Sequence, residues 1–331
     1  MKIIVNLNKG LKPLAQAVNA IPIFGKYMQR TSKSTRLSLQ AQNNRIGWLL
    51  VLPSLLIILA VTAQPILSTF YLSFFDASTS PNLPREFIGL ENYTDLMTNR
   101  VFWATIQRTL YFMVVSVGLE LLLGMGIAQL LHTRPFGWQF LRISLIIPWA
   151  LPTIVNGAMW RWIYNADYGA LNALLQQLGI IKSYVPWLID PARAMNLVIL
   201  ADIWHTVPFV ALVLQAALAT LPAEMEEAAA VDGANAWQRF WRIRLPLLRP
   251  AILVILIIRS VEAFRVFDIV YVVTNGGPAF GTVTASYLTY QETFTYGKLG
   301  SGAALSFMIS VVTLIVAFFY IRFLYRPGEN A

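Results

Sequence analysis

The sequence predicts an all-α polytopic membrane protein with six spanning helices and both termini on the cytosolic side. Three observations carry that prediction. Of 331 residues, 57% are hydrophobic and only 12% charged, with a mean hydropathy of +0.59, whereas a soluble domain carries about 25% charged residues. Six stretches reach the roughly 20 apolar residues that a spanning helix needs. The positive charges, finally, concentrate in alternate connections, as topology rules demand.

The elements follow in chain order. Residues 1–45 hold eight Lys or Arg and no acid, the first carboxylate being Asp76. Their apolar pieces, Ile3–Val5 and Ile21–Phe24, are too short for the core of a signal peptide. Pro13, Pro22 and Gly25 weaken a basic interfacial helix over 11–29, so the segment reads as a basic cytosolic tail. The predicted spans cover about 46–75, 105–131, 140–162, 195–218, 250–273 and 302–324. Polar, Gly- and Pro-bearing connections at 76–104, 132–139, 163–194, 219–249 and 274–301 separate them. The domain reading is therefore a tail (1–45), a six-span domain (46–326) with a cytosolic loop at 220–249, and a short cytosolic C-terminal tail (327–331).

Charge fixes the orientation. With the N-terminus inside, sixteen bases fall on the cytosolic side and five on the other, the five being Arg85, Arg100, Lys182, Arg193 and Lys298. Outside the tail, 17 bases face 16 acids, so all but one unit of the formal net charge of +9 belongs to the tail, which suits contact with anionic lipid.

Several functions are excluded. There are no cysteines, hence no disulfides and no thiolate metal sites. His132 and His205 form no paired zinc motif, and no phosphate-binding G-x-x-x-x-G-K-[ST] loop exists. The bases are not spread over a folded face with interleaved aromatics, which argues against nucleic acid.

Ionisable residues inside spans are costly and face a protein interior or a watered path. Arg108, Arg161, Glu120 and Asp202 are such residues, and the fifth span adds Arg259, Glu262, Arg265 and Asp268. A spacing of three puts those four on one broad helical stripe of alternating sign. Two readings fit: an ion-pair ladder tying the span to a neighbour, or the lining of a polar path.

The loop at 220–249 carries the most specific pattern. After Pro222, Glu224, Glu226 and Glu227 suit the positive end of a helix. Gly233 is placed to break it. A second short amphipathic helix is expected next, with Trp237, Phe240 and Trp241 on its apolar face, stopped by Pro246 and Pro250. Composition alone fits an interfacial loop anchored by aromatics. Yet Glu227, Ala228, Ala229, Gly233, Ile243, Leu245 and Pro246 occupy every fixed position of an E-A-A-x3-G-x9-I-x-L-P pattern. That pattern resembles the signature of ABC-importer inner-membrane permease subunits.

The resemblance extends over roughly 46–326. Phe87-Ile-Gly-Leu-Glu-Asn-Tyr93, Leu171-Asn-Ala-Leu174, Trp187-Leu-Ile-Asp-Pro191 and Thr274-Asn-Gly-Gly-Pro278 are similar to segments of the binding-protein-dependent carbohydrate (maltose/disaccharide-type) branch. It implies a type I, maltose-permease-like fold in a bacterial inner membrane and a non-catalytic subunit that binds no cofactor. The implied partners are a second homologous permease, two cytosolic ATPases that use ATP and Mg, and an extracytoplasmic sugar-binding protein. Glu227, Ala228, Ala229, Asp232, Gly233 and Trp237 would couple to the ATPase, with close packing at the Gly233 turn. Asp202, His205, Thr206 and Phe209, with Arg259, Glu262, Ala263 and Val266, match sugar-facing positions. The charged Asp202, Arg259 and Glu262 depart from the relative's mostly neutral groups, which leaves trehalose, another small α-linked sugar or a glycosylated polyol open as substrate. Packing alone also suits His205, and interfacial or inter-subunit packing suits Trp160 and Trp162.

The alternative is a stand-alone proton-coupled secondary transporter using Asp202, Glu262 and Asp268. It predicts an internal repeat, and the surface helix pair occurs only once.

Overall fold

The computed structural model describes residues 47, 49–80 and 84–324. The tails at 1–45 and 327–331 lie outside the described residues. The chain divides into two compact units, Met1–Ser68 and Thr69–Ala331.

Helix α1 (Leu49–Leu72) occupies the first apolar run, where a backbone in hydrocarbon must satisfy its own polar groups. In the second unit a short antiparallel pair, β1 (Phe75–Asp76) and β2 (Glu86–Phe87), sets Phe75 opposite Phe87. Helices α2 (Glu91–Thr98) and α3 (Arg100–His132) follow. Asn99 caps α3 by accepting the Val101 N–H at 2.8 Å.

Helices α4 (Trp138–Ala150) and α5 (Thr153–Ile163) replace the continuous third span expected at 140–162. They meet at 97°. Pro152 has no N–H to continue the ladder, and Leu151 is extended with ψ 138°. After α6 (Ala170–Gln177), the buried Asn172 accepts from Val185 N–H and from the Trp187 indole and donates to the Val185 carbonyl. One carboxamide thus pins the loop before α7 (Pro191–Leu218).

The loop helices are α8 (Ala223–Val231) and α9 (Ala236–Arg239), a π-helical turn at Phe240–Arg244, and α10 (Leu245–Leu247). Helix α11 (Arg249–Phe264) ends before Arg265, and α12 (Asp268–Val273) starts anew. The fifth span expected at 250–273 is therefore broken, and its 16-residue first part rises only about 24 Å. Helix α13 (Ala285–Tyr290), a second π-helical turn (Gln291–Thr295) and α14 (Leu299–Leu324) complete the chain.

Among the described residues, four helices are long and apolar enough to cross a membrane: α1, α3, α7 and α14. The bent pair α4–α5 makes a fifth if counted as one span. The remaining expected span, the fifth in chain order, is the interrupted α11–α12 segment.

The most extensive packing joins α3 to α7. Gly124 permits it: a Cβ there would lie 2.6 Å from Val210 Cγ1 and 3.2 Å from the Ala211 backbone nitrogen. Two apolar clusters result. One gathers Phe112, Val117, Val198, Val207, Ala263 and Phe264; the other gathers Met125, Val210, Leu214, Leu218, Leu248 and Ile255. On α3 and α11, Glu120 and Arg259 fall between the two clusters.

Candidate functional site

The buried charges converge. Arg259 is 6% exposed and Glu120 is fully buried. The guanidinium binds that carboxylate twice, Nε to Oε2 at 2.8 Å and Nη2 to Oε1 at 2.9 Å. It also donates through Nη1 to Glu262 Oε2 at 2.6 Å and through Nη2 to Asp202 Oδ2 at 3.3 Å. Ser116 Oγ lies 2.7 Å from Glu120 Oε1 and 2.6 Å from Asp202 Oδ2. Three helices, α3, α7 and α11, are thus tied at one guanidinium. Such pairing answers the cost of a buried charge, since an unpaired one is far more expensive than a paired one.

The expected four-residue stripe is not a single ladder. Arg259 and Glu262 do pair three residues apart. The helix then ends, and Asp268 opens α12 instead, accepting from Thr153 Oγ1 at 2.7 Å. Arg161 donates to the Val272 carbonyl. Trp160 packs edge-on against Trp204 at 5.8 Å, while Trp162 stays exposed.

A cavity of about 520 Å³ opens beside the cluster. All eight residues expected at a binding site line it: Asp202, His205, Thr206, Phe209, Arg259, Glu262, Ala263 and Val266. Sequence reasoning missed Trp149, Thr153, Asn156 and Phe267, which also line it. Trp149 stacks on Phe209 at 5.8 Å, so an aromatic wall adjoins the charged one. Asn156 is buried, and its Oδ1 has no partner. His205 Nδ1 sits 2.8 Å from the Pro148 carbonyl oxygen. That oxygen can only accept, so Nδ1 carries the hydrogen and Nε2 of the neutral ring is an acceptor.

At the loop, the six residues expected to couple fall within one helix–turn–helix. Glu227, Ala228 and Ala229 lie on α8, Asp232 is its C-cap, Gly233 follows and Trp237 lies on α9. All but the half-buried Ala229 are exposed. The Ala234 N–H reaches the Ala229 carbonyl at 2.9 Å and the Gly233 N–H reaches that of Ala230 at 3.1 Å, a Schellman closure. Gly233 has φ +80°, yet a Cβ there would meet nothing within 4 Å. Within this chain nothing packs against Gly233, and the sign of its φ is the constraint the chain itself imposes.

Asn235 and Gln238 form a capping box. Trp237, Phe240 and Trp241 do share a face, with ring centroids 5.3–6.2 Å apart. Helical backbone runs unbroken from Ala236 through the π-helical turn to Leu247 and stops there, between Pro246 and Pro250, as expected; Pro250 sits in the first turn of α11, where a missing N–H costs nothing.

The tie that sequence reasoning missed is Arg244. Its Nε and Nη2 bond Glu226 Oε1 and Oε2, both at 2.6 Å, and its Nη1 bonds Gln129 Oε1 of α3 at 2.6 Å. The fork holds the Glu226 carboxyl below its ordinary pKa, and the carboxylate in turn raises that of Arg244.

Comparison with known proteins adds the following. A family model described as the binding-protein-dependent transport system inner membrane component matches residues 120–326. Over 285 residues the chain is 39% identical to the trehalose/maltose transport system permease protein MalF of Thermococcus litoralis, covering 86% of this chain and 95% of that protein. Over 275 residues it is 38% identical to the sulfoquinovosyl glycerol transport system permease protein SmoG of Agrobacterium fabrum, covering 83% and 88%. Among solved structures, a chain of a bacterial ABC transporter involved in import of the acidic polysaccharide alginate superposes with a TM-score of 0.75. It shares 20% identity, with 89% of this chain and 100% of that one covered; this likeness is one of fold.

Proposed function

The chain belongs to the family of binding-protein-dependent transport system inner membrane components, and from that premise we propose that it is the permease subunit of an ATP-driven sugar importer. It forms half of the pore for a di- or oligosaccharide or a related glycoside. A second homologous permease completes the pore, two cytosolic ATPase subunits hydrolyse ATP with Mg, and an extracytoplasmic binding protein delivers the sugar. This chain itself catalyses no reaction. It lies in the bacterial inner membrane with six spans and both termini cytosolic.

One observation carries the reading of the site: every residue assigned to the sugar by position lines a single cavity. Its chemistry suits a polyol, because carboxylates accept from hydroxyls and the Trp149–Phe209 wall matches the apolar face of a sugar ring. The mechanism follows from the scaffold. Helix α8 and its Gly233 turn present Glu227, Ala228, Asp232 and Trp237 outward, ready to seat in an ATPase groove. Closure of the ATPases then moves this hairpin as a body and rocks the spans between inward- and outward-open states.

Uptake of labelled trehalose and maltose by cells expressing Asp202→Ala and Glu262→Ala chains tests the site. Either variant is expected to lower uptake or change the preference between the two sugars at matched membrane abundance. Two variants indistinguishable from wild type on both counts place the sugar elsewhere.

A further inference from the structure

The acidic lining of the cavity implies something sharper about what it accepts. We infer that the cavity is an acceptor-rich site selective for uncharged, hydroxyl-bearing ligands against acidic ones, and that the buried Glu120 enforces the selection. The inference rests on the sugar-importer reading above and narrows it.

Hydrogen-bond direction is the first ground. Arg259 stands at a sugar-facing position, yet four of its donor directions are committed to Glu120, Glu262 and Asp202, out of the five N–H groups a guanidinium has. Other donors of the lining are committed as well. Thr206 Oγ1 donates to the Asp202 carbonyl, Thr153 to Asp268, Asn156 Nδ2 to the Ala201 carbonyl and His205 Nδ1 to that of Pro148. What these groups leave for a ligand is mostly acceptors, namely Asn156 Oδ1, His205 Nε2, hydroxyl lone pairs and carboxylate oxygens, against one spare N–H each on Arg259 and Asn156 and the exposed guanidinium of Arg265. A polyol supplies the matching O–H donors; a carboxylate or sulfonate supplies none.

Charge is the second ground. Asp202, Glu262 and Asp268 line the cavity with Arg259 and Arg265, and Glu120 stands directly behind Arg259. Four carboxylates thus face two guanidinium groups in a confined space. A further anion meets like charge, which disfavours its binding. Glu120 contributes doubly without touching the cavity, since it adds one negative charge and occupies two donor directions of Arg259. It is a positioning residue.

The test uses the chain purified from membranes with the subunits it carries and without the extracytoplasmic binding protein, which would impose its own preference. Affinities are measured by equilibrium binding for trehalose and for its monocarboxylate, the glucuronyl glucoside that differs by one acidic group. Wild type is expected to bind trehalose at least about tenfold more tightly than the acid. Glu120→Gln keeps the shape and one acceptor but removes the charge, and is expected to cut that ratio about tenfold. The ratio is independent of the folded fraction, so a purely structural role for Glu120 leaves it unmoved and overturns the assignment. Should Glu120→Gln fail to fold, the wild-type ratio still decides. Acid bound as tightly as trehalose means that the exposed Arg265 reads anions, which overturns the inference and leaves the sugar reading standing. Binding of neither compound overturns both.

Discussion

His205 takes the carbonyl of Pro148 at 2.8 Å, and that carbonyl is available because the residue four positions on is Pro152. In a regular helix the N–H of residue 152 would bond it. Proline has none, and the Leu151 N–H reaches it only at 3.4 Å. The kink between α4 and α5 and the histidine at the cavity wall are one arrangement.

This makes a prediction with a sign. His205→Leu leaves a carbonyl without its partner and is expected to lower stability by about 1–3 kcal/mol. Pro152→Ala in that background restores a backbone donor and recovers part of the loss, although alone it destabilises by competing with His205. Thermal unfolding of the two single variants and the double variant in detergent reads the coupling. Additive losses would falsify the shared-carbonyl account.

Gly233 separates conformation from contact. Its φ is +80° with open space around an added Cβ, so Gly233→Asn, which tolerates the left-handed region, is expected to keep most transport. Gly233→Val carries a strain of about 1–2 kcal/mol and is expected to lose most of it at equal membrane abundance. Equal damage from both substitutions would point to a partner surface pressed on the glycine instead.

The Glu226–Arg244 fork is pH-dependent in a stated direction. The native carboxyl has a lowered pKa, so its contribution is fully present above the ordinary value of about 4.3 and fades as pH falls through the lower native value. Amide exchange of residues 223–231, corrected for intrinsic rate, is expected to accelerate in that acid window and to stay constant above it. Arg244→Gln should raise exchange about tenfold at neutral pH and abolish the acid step. An acid step that survives in Arg244→Gln belongs to another carboxyl.

Much of this architecture is legible in the residues, for identifiable reasons. Long apolar runs locate α1, α3, α7 and α14 because hydrocarbon leaves the backbone little other choice. The breaks at Leu151–Pro152 and Arg265–Phe267 escape such a reading, since hydropathy averages over a window and is blind to where the ladder is cut. Pro152 was the available signal for the first; no comparable residue marks the second. Position-by-position likeness gathered the eight cavity residues from two distant segments. The partners of Arg259 were not legible, because Glu120 lies 139 residues away and Asp202 57, and only packing of α3 against α7 and α11 joins them. The loop prolines were legible as well, since the short helix that starts at Ala236 ends at Leu247, between Pro246 and Pro250.

Arg244 also fastens the α8–α9 hairpin to Gln129, and Gln129 shares the unbroken α3 with Glu120. Nine residues of helix separate the two, about 14 Å of rise. An α-helix resists compression along its axis, so α3 behaves as a connecting rod. On the proposed coupling, a load on the hairpin would bear through the Arg244 joint on the carboxylate that grips Arg259, and the wall of the cavity would shift with it.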